Sequence, residues 1–474
     1  VGANPVTRVA LGIDLGLSGA RAAVLRSDGS LIGRGRCAIP THIAGEVEAD
    51  PQSWLEAAIA AARAALADAG AASVDAIAIG ALGPCPVLLD GALQPVGPAP
   101  LFGMDARAEV HRQRLMRAHG LGEDELGPDH VAPKLLWLRE TQPTRFARAR
   151  WVVDAAGWIV AALTGQPTID RATAAYHLAR GIESLVPLPQ PREAQEIAGG
   201  LLPGLAQRLG LPPGIPVAIG GCDSYVDLAG IGMSRTDDLG ILLGSTLILG
   251  RVSERPRAAD GLRVTPLHGE GWFFGGWTSS CGSLLDWSAD LLGPDAVKGA
   301  TSLPPGAGGL LMLPYFSGER APVWDNDARG AIIGASLQTS GAELHRAAID
   351  AVALSALDLS ERVLRATGRC EMARVGGGGT KNAALLSALC DATGLILEVA
   401  PHAGEAAAPA LLALRAIGAR VELKSERRLH PNPARTQRYA ELLRTYRALY
   451  PALAESLHAL GRLTALEEDQ CRTA

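Results

Sequence analysis

Two apolar runs, Val9 to Ile13 and Ala20 to Leu25, flank a short tip that contains Gly16 and Gly19. Runs of this length around small residues predict two strands joined by a tight hairpin, because glycine reaches backbone angles that other residues resist. A third strand is expected over Ser30 to Ile39. The next stretch changes period: Trp54, Leu55, Ala58, Ile59 and Ala62 form one apolar stripe at helical spacing. Asp50 is placed to cap that helix, Pro51 suits its first position, and Gly70 suits its end. The apolar run VDAIAIGAL supplies a fourth strand.

The same plan returns past the middle of the chain. Asp238 to Glu254 again sets two apolar runs around a Gly-Ser-Thr tip, GWFFGGWT follows as a third strand, and SSCGSLLDWSADLL as a helix. Glu343 to Gly368 reads as a long amphipathic helix, and Met372 to Gly394 as strand, glycine turn and helix. The segment 179–214 is rich in Pro and Gly and is expected to be a surface stretch. Three meandering strands, a helix and a parallel strand open a ribonuclease-H-like unit. The expected fold is therefore α/β with two such domains, the first over 1–234 and the second over 235–474.

Composition narrows the function. A net charge of −5 argues against a nucleic-acid or membrane-surface partner, for which a basic face is expected. Seven scattered cysteines without a CxxC pair fit small buried residues of a reducing compartment. Ten histidines include no HExxH and no cluster with ligand spacing, so no transition-metal site is expected. Gly and Pro interrupt the most apolar stretch, AIAIGALGPCPVLL, far short of a membrane span, and no signal-peptide pattern opens the sequence. A cytoplasmic location is the expectation.

The candidate chemistry lies in the glycine-rich tips. A hairpin with small residues at its tip offers backbone N–H groups to an anion. A strand that feeds four glycines and then a helix start lets a phosphate or nucleotide lie against the backbone. Each feature alone also fits an ordinary turn.

Together, several ordered segments resemble the FGGY family of carbohydrate kinases, within the actin-like ATPase superfamily. They are IDLGLSGARAAVLRSDG, GEVEADPQSW, GPDHVAPKLLWLRE, LTGQPTIDRATAA, GGCDSYVDLAGIG, PYFSGERAPVWDNDARGAIIGASL and GGGTKNAALLSALCDATG. The texture is closest to xylulokinase-like members. The resemblance implies transfer of the ATP γ-phosphoryl group to a hydroxyl of a small sugar or polyol, in a central cleft between the two domains. It implies ATP and Mg²⁺ as cofactors, and a homodimer is compatible with it.

By this resemblance Asp223 is the base that takes the hydroxyl proton, although an Asp at that point also suits a helix N-cap. Asp14 would hold Mg²⁺ through water, with Gly16, Ser18, Gly19 and Arg21 beside it. Gly244, Ser245 and Thr246 would meet phosphate oxygens. Gly377, Gly378 and Gly379 would let the adenosine lie flat, with Asn382 reaching adenine or ribose. Gly83, Pro84, Asp105, Arg107 and Ser224 complete the sugar side, with Arg107 holding Asp105. Glu319 and Arg320 read as an internal, supporting pair.

Three departures matter. Leu17 stands where the family usually has Thr. The second tip reads Gly-Ser-Thr where Gly-Thr-Ser is more frequent. Xylulokinases carry Met-His where this chain has Gly83 and Pro84, so another pentulose, a tetritol, glycerol or a linear signalling sugar is an alternative substrate. A nucleotide-binding regulator without turnover would suit Leu17, and Asp223 opposes it.

Overall fold

The computed structural model describes residues 7–39, 47–102, 105–122, 125–178, 182–233, 235–257, 261–267, 271–402, 404–421 and 424–473, with side chains to residue 463. Residues 45–46, which open the GEVEADPQSW motif, lie outside the described residues. The chain divides into two compact units. One comprises Val1–Ser234, Thr265–Gly271 and Pro401–Lys424, the other Arg235–Val264, Trp272–Ala400 and Ser425–Ala474.

In the first unit, β1 (Val9–Gly16), β2 (Gly19–Arg26) and β3 (Leu31–Ala38) form an antiparallel meander, and Gly16 pairs with Gly19 across a two-residue tip. Helix α1 (Pro51–Ala69) follows as its stripe predicts. The Asp50 carboxylate accepts from Gln52 N at 3.0 Å, and Gly70 ends the helix in the left-handed region. Strand β4 (Ala76–Ala81) runs parallel to β1. A short α2 (Val131–Thr141), α3 (Ala155–Thr164) and α4 (Arg171–His177) come next.

The segment expected to be surface stretch is mostly exposed or half-buried, and it also supplies an edge strand and a helix. Strand β5 (Ile197–Gly200) lies antiparallel to β6 (Pro216–Ala218), and β6 is parallel to β4. Between them, helix Pro203–Leu209 uses Pro203 at its start and Gly210 at its end, and buries Ala206 and Leu209. Pro203 and Gly210 bound this helix, an element that composition alone does not reveal. The sheet order is β3-β2-β1-β4-β6-β5, with β7 (Gly221–Cys222) also parallel to β4. Helix α5 (Asp223–Gly230) leaves directly from β7.

One face of this sheet is covered late in the chain. Helix Ala407–Ala416 packs Ala410, Leu411, Leu412 and Leu414 against Ala10, Leu25, Ala76, Ala78 and Val226. A Cβ at Gly12 would lie 2.2 Å from Ala410 N, so the approach of this helix requires glycine there.

The second unit repeats the plan. Strands β8 (Leu239–Leu243) and β9 (Leu247–Ser253) form the second hairpin, and β10 (Trp272–Trp277) extends it. Helices α6 (Gly282–Leu292) and α7 (Gly341–Thr367) precede β11 (Met372–Gly376). Helix α8 (Ala383–Thr393), β12 (Ile396–Val399) and β13 (Arg427–Leu429) follow, and the central strands run β10-β9-β8-β11-β12-β13. Ser340 and Glu343 close a reciprocal capping box at the start of α7.

Helix α9 (Pro433–Thr473) is fixed to α7 by buried polar bonds. Arg346 donates to Asp350 Oδ1 at 2.9 Å, to Leu303 O at 2.8 Å and to the Tyr439 hydroxyl at 2.9 Å. Tyr439 donates to Asp350 at 2.6 Å, and Gly306 N donates to its other oxygen at 2.9 Å. All three side chains are buried, so removing one partner strands the others in low dielectric. Asp350→Ala should lower the unfolding free energy by about 3–5 kcal/mol, read by chemical denaturation.

Candidate active site

The first unit gathers carboxylates where its parallel strands end. Asp14 on β1 pairs in register with Arg21 on β2 and with Gly80 on β4, and Gly80 is also the partner of Gly221 on β7. Asp223, two residues beyond Gly221, is the first residue of α5, and Asp227 follows one turn later. Hence β1 and the start of α5 reach the same end of β4. Asp14, Asp223 and Asp227 are each half-buried.

Arg21 is the cation of this group. Its Nε lies 3.4 Å from Asp14 Oδ2, and its Nη1 donates to Gly404 O at 3.3 Å, so the returning segment steadies it. Burial raises the Asp14 carboxyl above its ordinary range and Arg21 pulls it back. Asp223 is pushed up to about 7, first by burial and then by Asp14, while the Ser224 N–H, the Cys222 thiol and Arg21 oppose the shift. Asp227 is raised further by burial and by both neighbouring carboxylates. A carboxyl near 7 accepts a proton at neutral pH more readily than an ordinary aspartate does.

The helix N-cap reading of Asp223 does not hold, since Cys222 occupies the cap and Asp223 lies inside the first turn. Asp223 Oδ1 accepts from Ser224 N at 2.6 Å, and Cys222 Sγ lies 3.5 Å from the same oxygen. Helix α4 supports this turn from behind. Thr173 Oγ1 accepts from Cys222 N at 3.2 Å, and Asp170, held up to about 6 by burial, caps α4 through Ala172 N and Thr173 N.

The hairpin tip itself divides by residue. Gly16 and Gly19 form the paired base, Ser18 is exposed, and Leu17 packs on the core of the unit. Asp105 and Arg107 do pair. The guanidinium binds Asp105 at 2.8 and 2.7 Å, Glu48 at 2.9 Å, and stacks 4.1 Å over Trp137. The Asp105 side chain is 1% exposed, so Arg107 holds it within the unit and no oxygen of it faces solvent. Gly83 and Pro84 form the turn after β4, and Gly83 O lies 3.6 Å from Cys222 Sγ. Through Cys222, then, this turn adjoins Asp223.

In the second unit the two glycine-rich tips are neighbours. Gly244 and Ser245 are exposed at the β8–β9 tip, with Thr246 half-buried. The start of α6 rests on this tip, since Cys281 N donates to Ser245 O at 2.8 Å and Gly282 N to Gly244 O at 3.0 Å. Gly377 ends β11 with φ 90°, and a Cβ there would lie 2.5 Å from Leu243 O, at the end of β8. Gly378 has open space around it and Gly379 lies against Leu243. Asn382 caps α8 by accepting from Leu385 N at 3.0 Å, which leaves its amide NH₂ for a ligand. Glu319 is buried and accepts from Ser279 N at 2.6 Å and Arg320 N at 2.8 Å, while Arg320 donates to Thr278 O at 2.7 Å. Their role is to brace the loop after β10.

Asp227 and Asp154 escape the sequence reading. The i, i+4 spacing from Asp223 is a signal for Asp227 once α5 is recognised as a helix. Asp154 is brought in by a contact with Cys85, 69 positions away. Among the described residues no group of three or more His, Cys, Asp or Glu side chains is arranged to hold a metal ion, and no helix is long and apolar enough to cross a membrane.

Comparison with known proteins places this arrangement. Residues 9–185 match the N-terminal domain of the FGGY family of carbohydrate kinases, and residues 239–417 match its C-terminal domain. The xylulose kinase of Klebsiella pneumoniae is 28% identical over 432 residues, covering 85% of this chain and 88% of that one. The xylulose kinase of Escherichia coli is 26% identical over 480 residues, covering 94% and 99%. The crystal structure of ligand-bound xylulose kinase from Lactobacillus acidophilus shares the fold, with a TM-score of 0.84 over 96% of this chain and all of that one at 19% identity. With both domains matched in order, the chain belongs to the FGGY family of carbohydrate kinases and is an ATP-dependent sugar kinase.

Proposed function

We propose that this kinase phosphorylates a pentulose of the xylulose kind, with Asp223 as general base. The observation that carries the base assignment is the Asp223 carboxyl, half-buried at the start of α5 and pushed up to about 7. Relatives that span most of the chain, the two above among them, are named xylulose kinase, which supports the pentulose. The Gly83–Pro84 turn offers no polar side chain, and this favours, as a second reading, another small linear sugar or polyol.

Phosphoryl transfer asks little covalent chemistry of a protein and depends on position and charge. The acceptor hydroxyl gives its proton to Asp223 as its oxygen bonds to the γ-phosphorus. The bond between that phosphorus and the β–γ bridging oxygen breaks, and ADP carries away the electron pair. Arg21 remains by Asp14 and balances part of the local negative charge. The exposed tip at Gly244–Thr246 and the open backbone at Gly378 suit phosphate and nucleotide, and Asn382 retains an amide donor.

Mg²⁺ suits the first unit. Asp14 presents one half-buried carboxylate, and a cation that keeps most of its waters needs few protein oxygens. A carboxyl held up by burial is also one that a divalent ion restores to the charged form. Bound there, Mg²⁺ supplies charge neutralisation for the phosphates.

ADP release with Mg²⁺-ATP, across pentuloses, hexuloses, tetritols and glycerol, tests the reading. A pentulose should stimulate turnover most, and Asp223→Asn should lower kcat by about 10²-fold or more. Failure of every sugar in the panel would overturn it. For the wild type, kcat/KM should rise with pH through about 7, as Asp223 loses its proton.

Stability should move the opposite way. A carboxyl raised by folding binds a proton that the unfolded chain has released, so its penalty grows from about pH 4 and is complete above 7. Asp223→Asn should therefore stabilise the fold by about 1–2 kcal/mol at pH 8 and by little at pH 4, read by denaturant unfolding at both values.

A further inference from the structure

Asp154 occupies the N-cap of α3, but its side chain does not make the usual capping bond to the second or third residue of the helix. Its side chain turns to the loop after β4, where Oδ1 accepts the Cys85 N–H. The residue is 2% exposed, and Oδ2 is buried with no hydrogen-bond partner among the described residues. A Cβ at Gly83 would lie 2.4 Å from Oδ2. The free oxygen therefore lies against the face of the turn from which a side chain at position 83 would project. That turn is linked to the base through Cys222, whose sulfur lies 3.6 Å from Gly83 O and 3.5 Å from Asp223 Oδ1.

An unpartnered buried oxygen is costly, and native structures keep few of them without a reason. Asp154 sits two contacts from a general base, beside a turn whose Gly83 and Pro84 carry no polar side chain. A hydroxyl of the acceptor is the polar group that the reaction brings to this place. Burial, then the nearby Asp170 and Asp223, hold the Asp154 carboxyl well above the usual range, while the N–H groups of Cys85 and Ala155 pull it back. In its neutral form the carboxyl both donates and accepts, as a sugar hydroxyl does.

We propose that Asp154 is a specificity-determining residue of this kinase, with Oδ2 bonding a non-reacting hydroxyl of the acceptor sugar beside Gly83. The proposal rests on the sugar site assigned above and deepens it. A site built to bond a hydroxyl rejects the analogue that lacks it far more strongly than an apolar pocket does.

Steady-state kinetics on D-xylulose and its monodeoxy analogues would test this in the wild type and in Asp154→Leu, Asp154→Asn and Gly83→Ala. The wild type should discriminate against one analogue by about 30-fold or more in kcat/KM. Asp154→Leu should cut that preference to within about threefold and raise the xylulose KM by about 10–100-fold, with the ATP KM unchanged. Asp154→Asn, which keeps an acceptor for Cys85 and a donor for the sugar, should retain most of the preference. Gly83→Ala pushes Oδ2 aside without altering Asp154 and should weaken the same preference, which covers a Leu variant that fails to fold. Equal turnover of all analogues by the wild type, or an intact preference in either Asp154→Leu or Gly83→Ala, would overturn the proposal. If another panel sugar is the substrate, the pentulose reading alone fails, and the same variants on that sugar's deoxy analogues decide for or against Asp154. Turnover of no sugar overturns both.

Discussion

Like charges close together in a half-buried place oppose their own ionisation, and the first unit is organised around that conflict. Burial raises Asp14, Asp223 and Asp227 first; Asp14 adds to the shift of Asp223, both add to that of Asp227, and Arg21 is the opposing charge. Two elements fix them: Asp14 sits near the end of a strand, and Asp223 and Asp227 sit on successive turns of one helix. The sheet cannot relax the repulsion by letting them drift apart, because β1 and β7 both register on β4. A fold that keeps such a cluster gives up stability to hold carboxyls whose proton affinity is raised.

Support for the cluster comes from groups with no direct share in the chemistry. Thr173 ties the β7 backbone to α4, and Gly404 gives a carbonyl to Arg21. In the second unit, the phosphate-suited tips are built from backbone. Leu243 lies under Gly377 and Gly379, and the start of α6 sits on the tip of the second hairpin. Backbone sites of this kind tolerate changes of side chain, which is why Gly-Ser-Thr keeps the geometry of a hairpin tip and Leu17 finds an apolar place on the core.

Much of this was legible in the sequence, for local reasons. The hairpins, α1 and α7 announce themselves by period and by caps, and those signals need no distant partner. Asp14, Asp223 and the glycine tips lie at the ends of such elements. The edge strand and helix within 179–214 were opaque, because high Pro and Gly content hides Ile197–Gly200 and because Pro203 and Gly210 bound a helix of only seven residues. Asp154 was opaque for another reason: in WVVDAAGW it looks like an ordinary cap, and only the fold brings Cys85 and Gly83 to it. Asp105 and Arg107 were legible as a pair, while the depth at which the carboxylate is held was not.

The helix Ala407–Ala416 carries a consequence for how the molecule is made. It covers β1, β2 and β4, strands drawn from the first 81 residues, yet the ribosome delivers it only after most of the second unit. Until then Gly12 and the apolar face around it have no cover, so the first unit emerges first and is completed late. The chain order thus makes the two units partners in biogenesis, and the segment that seals the sheet is the one that also reaches Arg21 beside the carboxylates.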